Sequence, residues 1–404
     1  MSDINLKIRN FGPIKEADIN VRKYNVFIGH TSSGKSVAAK LLTIFKEFVE
    51  LDENNINFSA FQNLLIQYNI NFDFKRNTEI KYSDHRGECT VVKGKVFHIS
   101  SYRMSLTLSN SREDLSKRIH AKNANDAIAL IKNLYSKESG SDWIKKIEDI
   151  ILNMRESSKP VYIPAERLLI TMFSDSIFSL LNVGVNIPVC IKRFGSQYEK
   201  SRNEYKEANR IATIDVMDIK VSFSNEVDMI YLNDNTKIEV GQASSGIQSI
   251  IPLWFVFNYF ISQVYSDFLV IEEPELNLFP SAQVKLINTI IKEMQIKEGK
   301  LVLTTHSPYV LSVIDNLILA NEVRVNAKKG TKKIVESKIK ELIPSMALID
   351  FNDVSSYFFD SNGKVIEVRD EENKLVGGEY IDDASNESSR IFAELYNLKG
   401  EYGV

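Results

Sequence analysis

The sequence has few of the residues that build covalent or metal-held scaffolds. Its 404 residues include only two cysteines, Cys89 and Cys190, which lie far apart and form no C-x-x-C pair. This spacing does not match the cysteine patterns of a structural zinc site or of a disulfide framework, and it is typical of proteins in a reducing compartment. We therefore expect a cytoplasmic protein.

Long hydrophobic runs are also missing. The most apolar segment, residues 250–264, is interrupted by Pro252 and by polar residues, and it is too short to cross a bilayer. We predict that it forms a buried helix. The N-terminal residues lack an apolar stretch after a basic start, so we expect no signal peptide. The sequence thus predicts no membrane partner.

Neither sign of charge dominates the chain. Lysine and arginine number 50 against 53 acidic residues, a formal net charge of −3, so the surface as a whole is not expected to bind nucleic acid avidly. Residues 192–210 carry charges of both signs and predict a solvated helix. A small basic hairpin is predicted around Lys328, Lys329, Lys332 and Lys333, as a solvated loop or as a nucleic-acid contact. For residues 192–210 a nucleic-acid or partner contact stays open.

The sequence does contain a phosphate-binding pattern between a predicted strand and a predicted helix. Residues 24–28 form an apolar run, and the letters that follow, GHTSSGKS, match G-x-x-x-x-G-K-[ST]. Glycines permit backbone conformations that a Cβ disfavours, so successive N–H groups can surround a phosphate at the positive end of a helix. The predicted phosphate-binding residues are Gly29, His30, Thr31, Ser32, Ser33, Gly34, Lys35, Ser36 and Val37. In this scheme Lys35 reaches the β- and γ-oxygens of ATP, and the Ser36 hydroxyl binds Mg²⁺.

Two further apolar segments end in groups that can carry chemistry. Residues 268–271 end in Glu272 and Glu273, and residues 301–303 lead to His306. Parallel strands of α/β nucleotide enzymes deliver such groups to one sheet edge. Because adjacent strand residues face opposite sides, we predict that Glu272 holds the metal and that Glu273 orients or deprotonates the attacking water. His306 would contact the γ-phosphate or that water. An acidic surface turn and a structural histidine are the alternatives.

The sequence predicts a second helix that begins just before residue 247, with an N-terminus that resembles an anion-binding site. Ser244 and Ser245 are typical N-cap residues, and Gly246 permits a close approach of another group. A capped helix without a ligand is the alternative. Taken alone, this pattern does not distinguish the two.

Two pairs of residues stand at predicted strand ends. Asn10 and Phe11 precede a turn, where the phenyl ring either stacks on a nucleotide base or joins the core. Glu166 and Arg167 follow the predicted strand 161–163. They either carry function beside a nucleotide site or form a surface ion pair.

Four elements, in their order along the chain, resemble the motifs of ABC-type ATPases. They look like the Walker A, signature, Walker B and switch-histidine motifs, and in that order they read GHTSSGKS, ASSGIQS, VIEEPEL and LTTHSP. More narrowly, IRNFGPI, YIPAER and EEPELNLFP resemble the OLD/RecF-like group of stand-alone ATPases, the AAA-15/AAA-21 type found in bacterial anti-phage defence and DNA-repair systems. The motifs cover residues 1–45 and 240–312.

This resemblance implies that ATP is hydrolysed between two heads related by a two-fold axis. Signature residues of one protomer would contact the nucleotide bound by Lys35 of the other, and they are Ser244, Ser245, Gly246 and Gln248. Nucleotide binding would then act as a switch for assembly. The resemblance also places Asn10 and Phe11 near the base. No Q-loop glutamine is evident, and Glu166 with Arg167 is the candidate substitute.

The predicted fold class is α/β: a P-loop ABC-type ATPase head with a mixed or parallel core sheet, an N-terminal antiparallel β subdomain and an inserted helical lobe. The predicted segments are the ATPase core (1–50 and 240–325), an inserted β-meander with helices (51–160), a helical lobe with strands leading to the signature (161–239), and a C-terminal α/β region that packs on the core (326–404). Local predictions are a meander over 78–100, a polar helical region over 113–156, and strands over 213–223 and 227–240. No sustained heptad pattern predicts a long coiled coil.

These predictions converge on a slow, dimer-dependent ATPase with ATP and Mg²⁺ as cofactors. We expect a nucleotide-dependent switch or sensor in a bacterial anti-phage defence system, acting as a homodimer or higher oligomer. It would control a separately encoded effector such as a nuclease or toxin, since no D-x-D motif of a fused Toprim nuclease follows His306. The alternatives are a RecF-like DNA-binding repair ATPase and an assembly scaffold that binds ATP without significant turnover.

Overall fold

Three larger β-sheets and eight α-helices make up the part of the chain that the structure describes. The structure is a computed structural model, and it describes residues 4–49, 51, 55–85, 87–100, 104–108, 117–121, 159–172, 187–224, 227–234, 236–262, 266–343 and 345–376. Among the helices of this part, none has both the length and the apolar character needed to cross a membrane.

An antiparallel sheet forms the N-terminal part of the fold. Its strands are β1 (Ile4–Phe11), β2 (Ile14–Val21), β4 (Glu79–Asp84), β5 (Gly87–Val92) and β6 (Lys95–Ser100). They lie in the order β2-β1-β4-β5-β6. Alternate residues of β1, such as Leu6 and Ile8, are fully buried, as expected of a strand with one face on the core. The predicted antiparallel subdomain and the meander over 78–100 are confirmed.

A six-stranded mixed sheet forms the core. Its strands are β3 (Tyr24–Gly29), β9 (Val161–Ile163), β14 (Phe268–Glu272), β15 (Lys300–Thr305), β16 (Val354–Phe359) and β17 (Val365–Glu367). The order is β17-β16-β3-β15-β14-β9, and every neighbouring pair is parallel except β16 with β17. Nearly all residues of β3, β14 and β15 are buried, because helices cover both faces of such a sheet. The predicted mixed α/β fold class is confirmed.

The core sheet draws its strands from distant parts of the sequence. Strand β9 comes from the predicted lobe segment, and β16 and β17 come from the predicted C-terminal region. Strand β16 pairs with β3 along its whole length. The C-terminal region therefore contributes directly to the sheet that carries the phosphate-binding pattern.

Eight helices connect these strands, and their limits follow the sequence closely. They are α1 (Lys35–Phe48), α2 (Phe58–Gln67), α3 (Leu168–Met172), α4 (Val189–Glu207), α5 (Ser245–Ser262), α6 (Pro280–Ile296), α7 (Pro308–Asn326) and α8 (Lys332–Leu342). Helices α6 and α7 both begin at a proline, whose fixed φ and missing N–H suit the first helical position. The Ser307 hydroxyl accepts a hydrogen bond from Tyr309 N at the start of α7.

The predicted lobe contains a third, antiparallel sheet. Its short strands are β10 (Ile211–Ile214), β11 (Ile219–Ser222), β12 (Met229–Tyr231) and β13 (Lys237–Glu239). The sequence predicted two long strands here, and the structure has four short ones. A turn that contains Asp218 at a φ of 52° interrupts the first predicted strand.

One local prediction fails between the two halves of the chain. Residues 113–156 were predicted to be helical, but Lys117–Ala121 form a strand, β8, that pairs antiparallel with β7 (Met104–Leu108). Pairing with a partner about ten residues away replaces the local helical preference. The rest of that prediction, 113–116 and 122–156, lies outside the described residues.

Helix α4 is amphipathic rather than solvated all round. One face buries Phe194 and Tyr198 against the core, and two arginines of the helix form ion pairs. Arg193 Nη1 lies 2.7 Å from Glu47 Oε2, and Arg202 Nη2 lies 2.6 Å from Asp228 Oδ1. These ion pairs reduce the positive charge that the helix offers to a nucleic acid.

The predicted basic hairpin is also wrong. Lys328 and Lys329 lie in a turn, and Lys332 and Lys333 occupy the first turn of α8. The helix forms because half-buried Val335 and buried Ile339, four residues apart, give α8 an apolar side. The four lysine side chains are exposed, in keeping with a solvated segment.

Candidate functional site

Three parallel strands end side by side at one edge of the core sheet. In the sheet register, Ile28 of β3 lies opposite Thr305 of β15, and Thr304 of β15 lies opposite Glu272 of β14. Each strand therefore delivers the residues that follow it to the same edge. The parallel arrangement that the sequence predicted is confirmed.

The phosphate-binding pattern forms a tight loop between β3 and α1. Gly29 has a φ of 145° and Gly34 a φ of 108°, which few other residues adopt. A Cβ at Gly29 would clash with the Phe359 carbonyl of β16, and one at Gly34 would lie 2.6 Å from Ile14 Cγ1. Both positions require glycine, because of their backbone angles and because other segments of the same chain approach them closely. Helix α1 starts directly after the loop, so its free N–H groups face it.

The middle of the loop is open to solvent. His30, Thr31 and Ser32 have exposed side chains, and Ser32 adopts a φ of 61°. The Ser33 hydroxyl donates a 2.7 Å hydrogen bond to the His30 carbonyl oxygen, which braces the loop. Val37 is half-buried in the first turn of α1. The loop residues are thus held in shape while their outer surface stays accessible.

Lys35 is buried at the base of the loop. Its Nζ donates to the carbonyl oxygens of Gly29 at 2.9 Å and His30 at 2.7 Å. Burial lowers the pKa of Lys35 to about 8, while the charges of Glu273 and Glu275 act to raise it. The ammonium therefore lies within electrostatic reach of the acidic turn after β14.

Glu272 is the buried carboxylate of the site. It lies next to the hydroxyls of Ser36 and Tyr162, and burial raises its pKa while the charge of Lys40 lowers it. Its Oε2 accepts a 3.4 Å hydrogen bond from Ala165 N, whereas Oε1 is buried without a hydrogen-bond partner. A buried carboxylate oxygen without a partner is costly. A carboxylate beside a serine hydroxyl fits Mg²⁺, which binds few protein oxygens and keeps positions for phosphate and water.

Glu273 and His306 form a partly exposed pair above this carboxylate. Glu273 Oε1 lies 3.3 Å from His306 Nε2, and the two side chains are 26% and 37% exposed. Glu273 has a φ of 42°, in the left-handed region, and its N–H donates to the Thr304 carbonyl at 2.9 Å. The turn aims this carboxylate away from its buried neighbour. An accessible carboxylate that also contacts an imidazole can bind and deprotonate a water molecule.

Two buried charged residues support this pair from below. Arg167 is fully buried, and its guanidinium donates to the backbone carbonyls of the acidic turn. Burial lowers the pKa of Arg167 to about 10, against the attraction of the nearby carboxylates. Glu275 Oε1 accepts hydrogen bonds from Thr305 Oγ1 at 2.6 Å and from His306 N at 3.0 Å. Arg167 thus contacts the turn of Glu273, and Glu275 contacts the backbone of His306.

The two residues predicted as the Q-loop substitute, Glu166 and Arg167, lie in different environments. Glu166 is exposed and acts electrostatically on Glu272. Arg167 has no exposed surface, so a direct contact between its side chain and a phosphate is excluded in this conformation. The burial of Arg167 therefore does not support it as the substitute for a Q-loop glutamine, whereas for exposed Glu166 that role stays a prediction.

The signature residues occupy the start of α5. Ser244 and Ser245 are exposed, and a Cβ at Gly246 would lie 2.7 Å from the Asn277 carbonyl oxygen in the loop after β14. Gln248 is buried, and its amide donates to the Gly241 and Ala243 carbonyls at 2.9 Å each. The serines are thus free to meet another molecule, whereas Gln248 holds the shape of the segment before the helix.

Phe11 is part of the core. Its ring has no exposed surface and packs on Phe74 at 5.1 Å and on Phe72 at 5.7 Å. Of the two alternatives left open by the sequence, the structure supports the core position, because two further phenyl rings enclose this ring and leave no face for a base. Asn10 is partly exposed with a φ of 50°. On the same side of the fold, the ring of Phe72 packs over Gly12 and is 40% exposed to solvent.

Three features meet at one edge of the mixed sheet: a phosphate loop bounded by glycines, a buried carboxylate that fits a metal, and a glutamate–histidine pair. This combination defines a P-loop ATPase. Comparison with protein families agrees: residues 1–311 match the AAA_15 family, described as an AAA ATPase domain. The chain belongs to this family and is an ATP-binding ATPase. Comparison with curated proteins gives no match.

Solved structures similar to this chain include two SMC head domains. One is the SMC head domain from Thermotoga maritima, with 10% identity and a TM-score of 0.35 over 78% of this chain and 92% of that chain. Another is the Smc head domain with an extended coiled coil bound to the C-terminal domain of ScpA, derived from Pyrococcus furiosus. It has 9% identity and a TM-score of 0.34 over 98% of this chain and 100% of that chain.

Sequence reasoning missed two residues of the site. Tyr162 lies beside Glu272 with a buried hydroxyl, and it alternates with two apolar residues in β9. Glu275 belongs to the acidic motif after β14, but only the first two glutamates were given roles. Its position two residues after Glu273 was the sequence signal for a role in the site, because a third carboxylate near the end of a buried strand needs a hydrogen-bond partner.

Glu272 gives a prediction about metal-dependent binding. In Glu272→Gln, Mg²⁺ should no longer strengthen ATP binding as in the wild type, because the amide is a far weaker metal ligand than a carboxylate. We expect the Mg²⁺-dependent gain in ATP affinity to fall about tenfold or more, the equivalent of about 1.4 kcal/mol. Titration with a fluorescent ATP analogue, with Mg²⁺ and with EDTA, measures this gain.

The matched control for this titration is Glu298→Gln, which removes an exposed carboxylate at the opposite end of β15. It should keep the wild-type response to Mg²⁺. An equal response in Glu272→Gln and in the wild type would contradict the assignment of Glu272 to the metal.

Proposed function

We propose that the site hydrolyses ATP with Glu273 as the general base and His306 as its partner. The 3.3 Å contact between Glu273 Oε1 and His306 Nε2, at the edge where the phosphate loop ends, is the observation that carries this proposal. The imidazole orients the carboxylate and contacts the γ-phosphate or the attacking water. The carboxylate accepts the proton of that water as it attacks phosphorus.

The remaining residues of the edge bind and neutralise the triphosphate. The N–H groups of the loop and the start of α1 bind the β-phosphate, and Lys35 exchanges its carbonyl contacts for phosphate oxygens. Ser36 and Glu272 would hold Mg²⁺, which supplies charge neutralisation at the β- and γ-oxygens when bound. In the described residues no group of three or more His, Cys, Asp or Glu side chains could hold a metal by itself. This agrees with a metal that depends on the nucleotide for its other ligands.

We further propose that two copies of the chain complete each site. Ser244 and Ser245 are exposed at the positive end of an 18-residue helix, so they are available to a γ-phosphate on another protomer. Turnover would be slow in the monomer and would depend on assembly. ATP would then favour the dimer and hydrolysis would release it, which makes the protein a switch.

On the resemblance to OLD/RecF-like ATPases, we propose a cytoplasmic sensor of anti-phage defence whose ATP-bound dimer holds or releases a separately encoded nuclease or toxin. The support is analogy between sequences. The DNA-repair alternative is disfavoured because Arg193 and Arg202 of α4 are engaged by carboxylates. DNA-stimulated turnover with a steep salt dependence would restore it.

Replacement of the proposed base tests the chemistry directly. In Glu273→Gln, ATP hydrolysis should fall about 10²–10⁴-fold because the amide cannot accept a proton, while ATP affinity stays near the wild-type value. Lys35→Ala should instead weaken ATP binding itself. Phosphate release and equilibrium nucleotide titration measure the two effects. Unchanged turnover in Glu273→Gln would remove the base assignment, and absence of turnover in the wild type would favour the scaffold alternative.

Mixing two inactive variants tests whether sites are shared. Lys35→Ala cannot bind ATP, and Ser245→Arg places a bulky cation where the partner's nucleotide would dock. In a mixed dimer, one site combines both defects and the other has none. Random pairing at equal concentrations should therefore restore about a quarter of wild-type turnover. Activity in the mixture no higher than the mean of the two separate variants would show that each protomer works alone.

The effector proposal needs a partner of known origin. The product of an adjacent reading frame, co-expressed with this protein, should bind ATP-loaded Glu273→Gln and Lys35→Ala to different extents, because only the former reaches the ATP-bound state. Co-purification with and without ATP measures this difference. Equal binding to both variants would show that the partner does not sense the nucleotide state.

A further inference from the structure

We propose that Arg167 is a positioning residue for hydrolysis: its buried guanidinium holds the backbone of the acidic turn so that the Glu273 carboxylate meets His306 and the attacking water. This inference rests on the proposed function, since it requires Glu273 to be the base. It differs from a contact with phosphate, because Arg167 would act through the main chain of its neighbours.

The guanidinium makes four contacts to backbone oxygen. Nη1 donates to the Pro164 carbonyl at 3.2 Å and to the Glu272 carbonyl at 2.8 Å. Nη2 donates to the Glu273 carbonyl at 2.7 Å and to the Pro274 carbonyl at 3.3 Å. Three consecutive carbonyls of the acidic turn are therefore bound by one side chain. Only the planar fork of arginine presents two nitrogens in this way, whereas a lysine has a single point of contact.

The held segment contains a residue with an unusual backbone. Glu273 adopts a φ of 42°, a conformation that costs free energy for a residue with a side chain and needs support from its surroundings. Thr304 O accepts from the Glu273 N–H on one side, and Arg167 binds the Glu273 carbonyl on the other. The N–H and the carbonyl of Glu273 are thus both held by hydrogen bonds, and together they set the direction of its side chain.

Packing alone does not account for an arginine at this place. Arg167 has no exposed surface, and its Nε is buried without a hydrogen-bond partner. A buried cation costs more than an apolar side chain of similar volume unless its interactions are specific. The carbonyls of the turn and the attraction to the carboxylates of Glu272, Glu273 and Glu275 supply that specificity.

Arg167→Lys is the informative substitution, because it keeps the charge and removes the fork. We expect the turnover number to fall about 10- to 100-fold, the effect of a displacement of about 1 Å in a catalytic group. ATP affinity should stay within about twofold of the wild type, since the phosphate loop is untouched. The matched control is Arg369→Lys at the opposite edge of the sheet, because the Arg369 side chain is only 5% exposed and also donates to a backbone carbonyl, that of Phe351. It should keep wild-type turnover.

A double variant separates a positioning role from general loss of structure. If Arg167 acts through Glu273, then Arg167→Lys should lower the residual single-turnover rate of Glu273→Gln by less than about twofold. A full 10- to 100-fold loss on top of Glu273→Gln would overturn the proposal. Wild-type turnover in a folded Arg167→Lys protein would overturn it as well.

The folding of Arg167→Lys and the turnover of Glu273→Gln each give a further outcome of the test. If Arg167→Lys fails to fold, judged by thermal melting and nucleotide binding, Arg167→Gln replaces it, because its amide retains two N–H donors. The same loss of turnover, unchanged affinity and non-additivity are then expected, and their absence rejects the proposal. If Glu273→Gln itself turns over like the wild type, the proposed base has failed, and a loss seen in Arg167→Lys then contradicts positioning through Glu273.

Discussion

The site depends on the parallel register of β3, β15 and β14. Register fixes which residues leave the sheet together, and here it brings the phosphate loop, the acidic turn and His306 to one edge. A shift of one strand by a single residue would turn its side chains to the opposite face. These strands are buried on both faces, so a shift is opposed because each side chain would have to fit a new set of closely packed neighbours. Packing of the apolar core therefore determines the geometry of the polar edge.

Sequence reasoning succeeded where the physical cause is local. The phosphate loop could be predicted because Gly29 and Gly34 are needed for particular backbone angles, and the buried strands because they are uniformly apolar. It failed where the cause lies in a distant part of the chain. Phe11 was open to two interpretations until Phe72 and Phe74 were seen to enclose it. No spacing rule predicts that Arg167 meets carbonyls more than a hundred residues away.

The charges of the site are arranged in two layers. Glu273 and His306 are partly exposed and available to substrate, whereas Glu272, Glu275 and Arg167 lie beneath them, shielded from water. Arg167 and Glu275 contact the backbone of the upper pair through hydrogen bonds, and these offset part of the desolvation cost of their buried charges.

The position of β3 in the sheet has a consequence for synthesis of the protein. Both of its neighbours, β15 and β16, belong to the last third of the chain. A growing polypeptide therefore lacks a partner for one edge of β3 until residue 305 is made, and for the other edge until residue 359 is made. Pairings so remote in sequence form slowly. The nascent chain therefore exposes an apolar strand for most of its translation, a condition under which chaperones commonly attend a polypeptide.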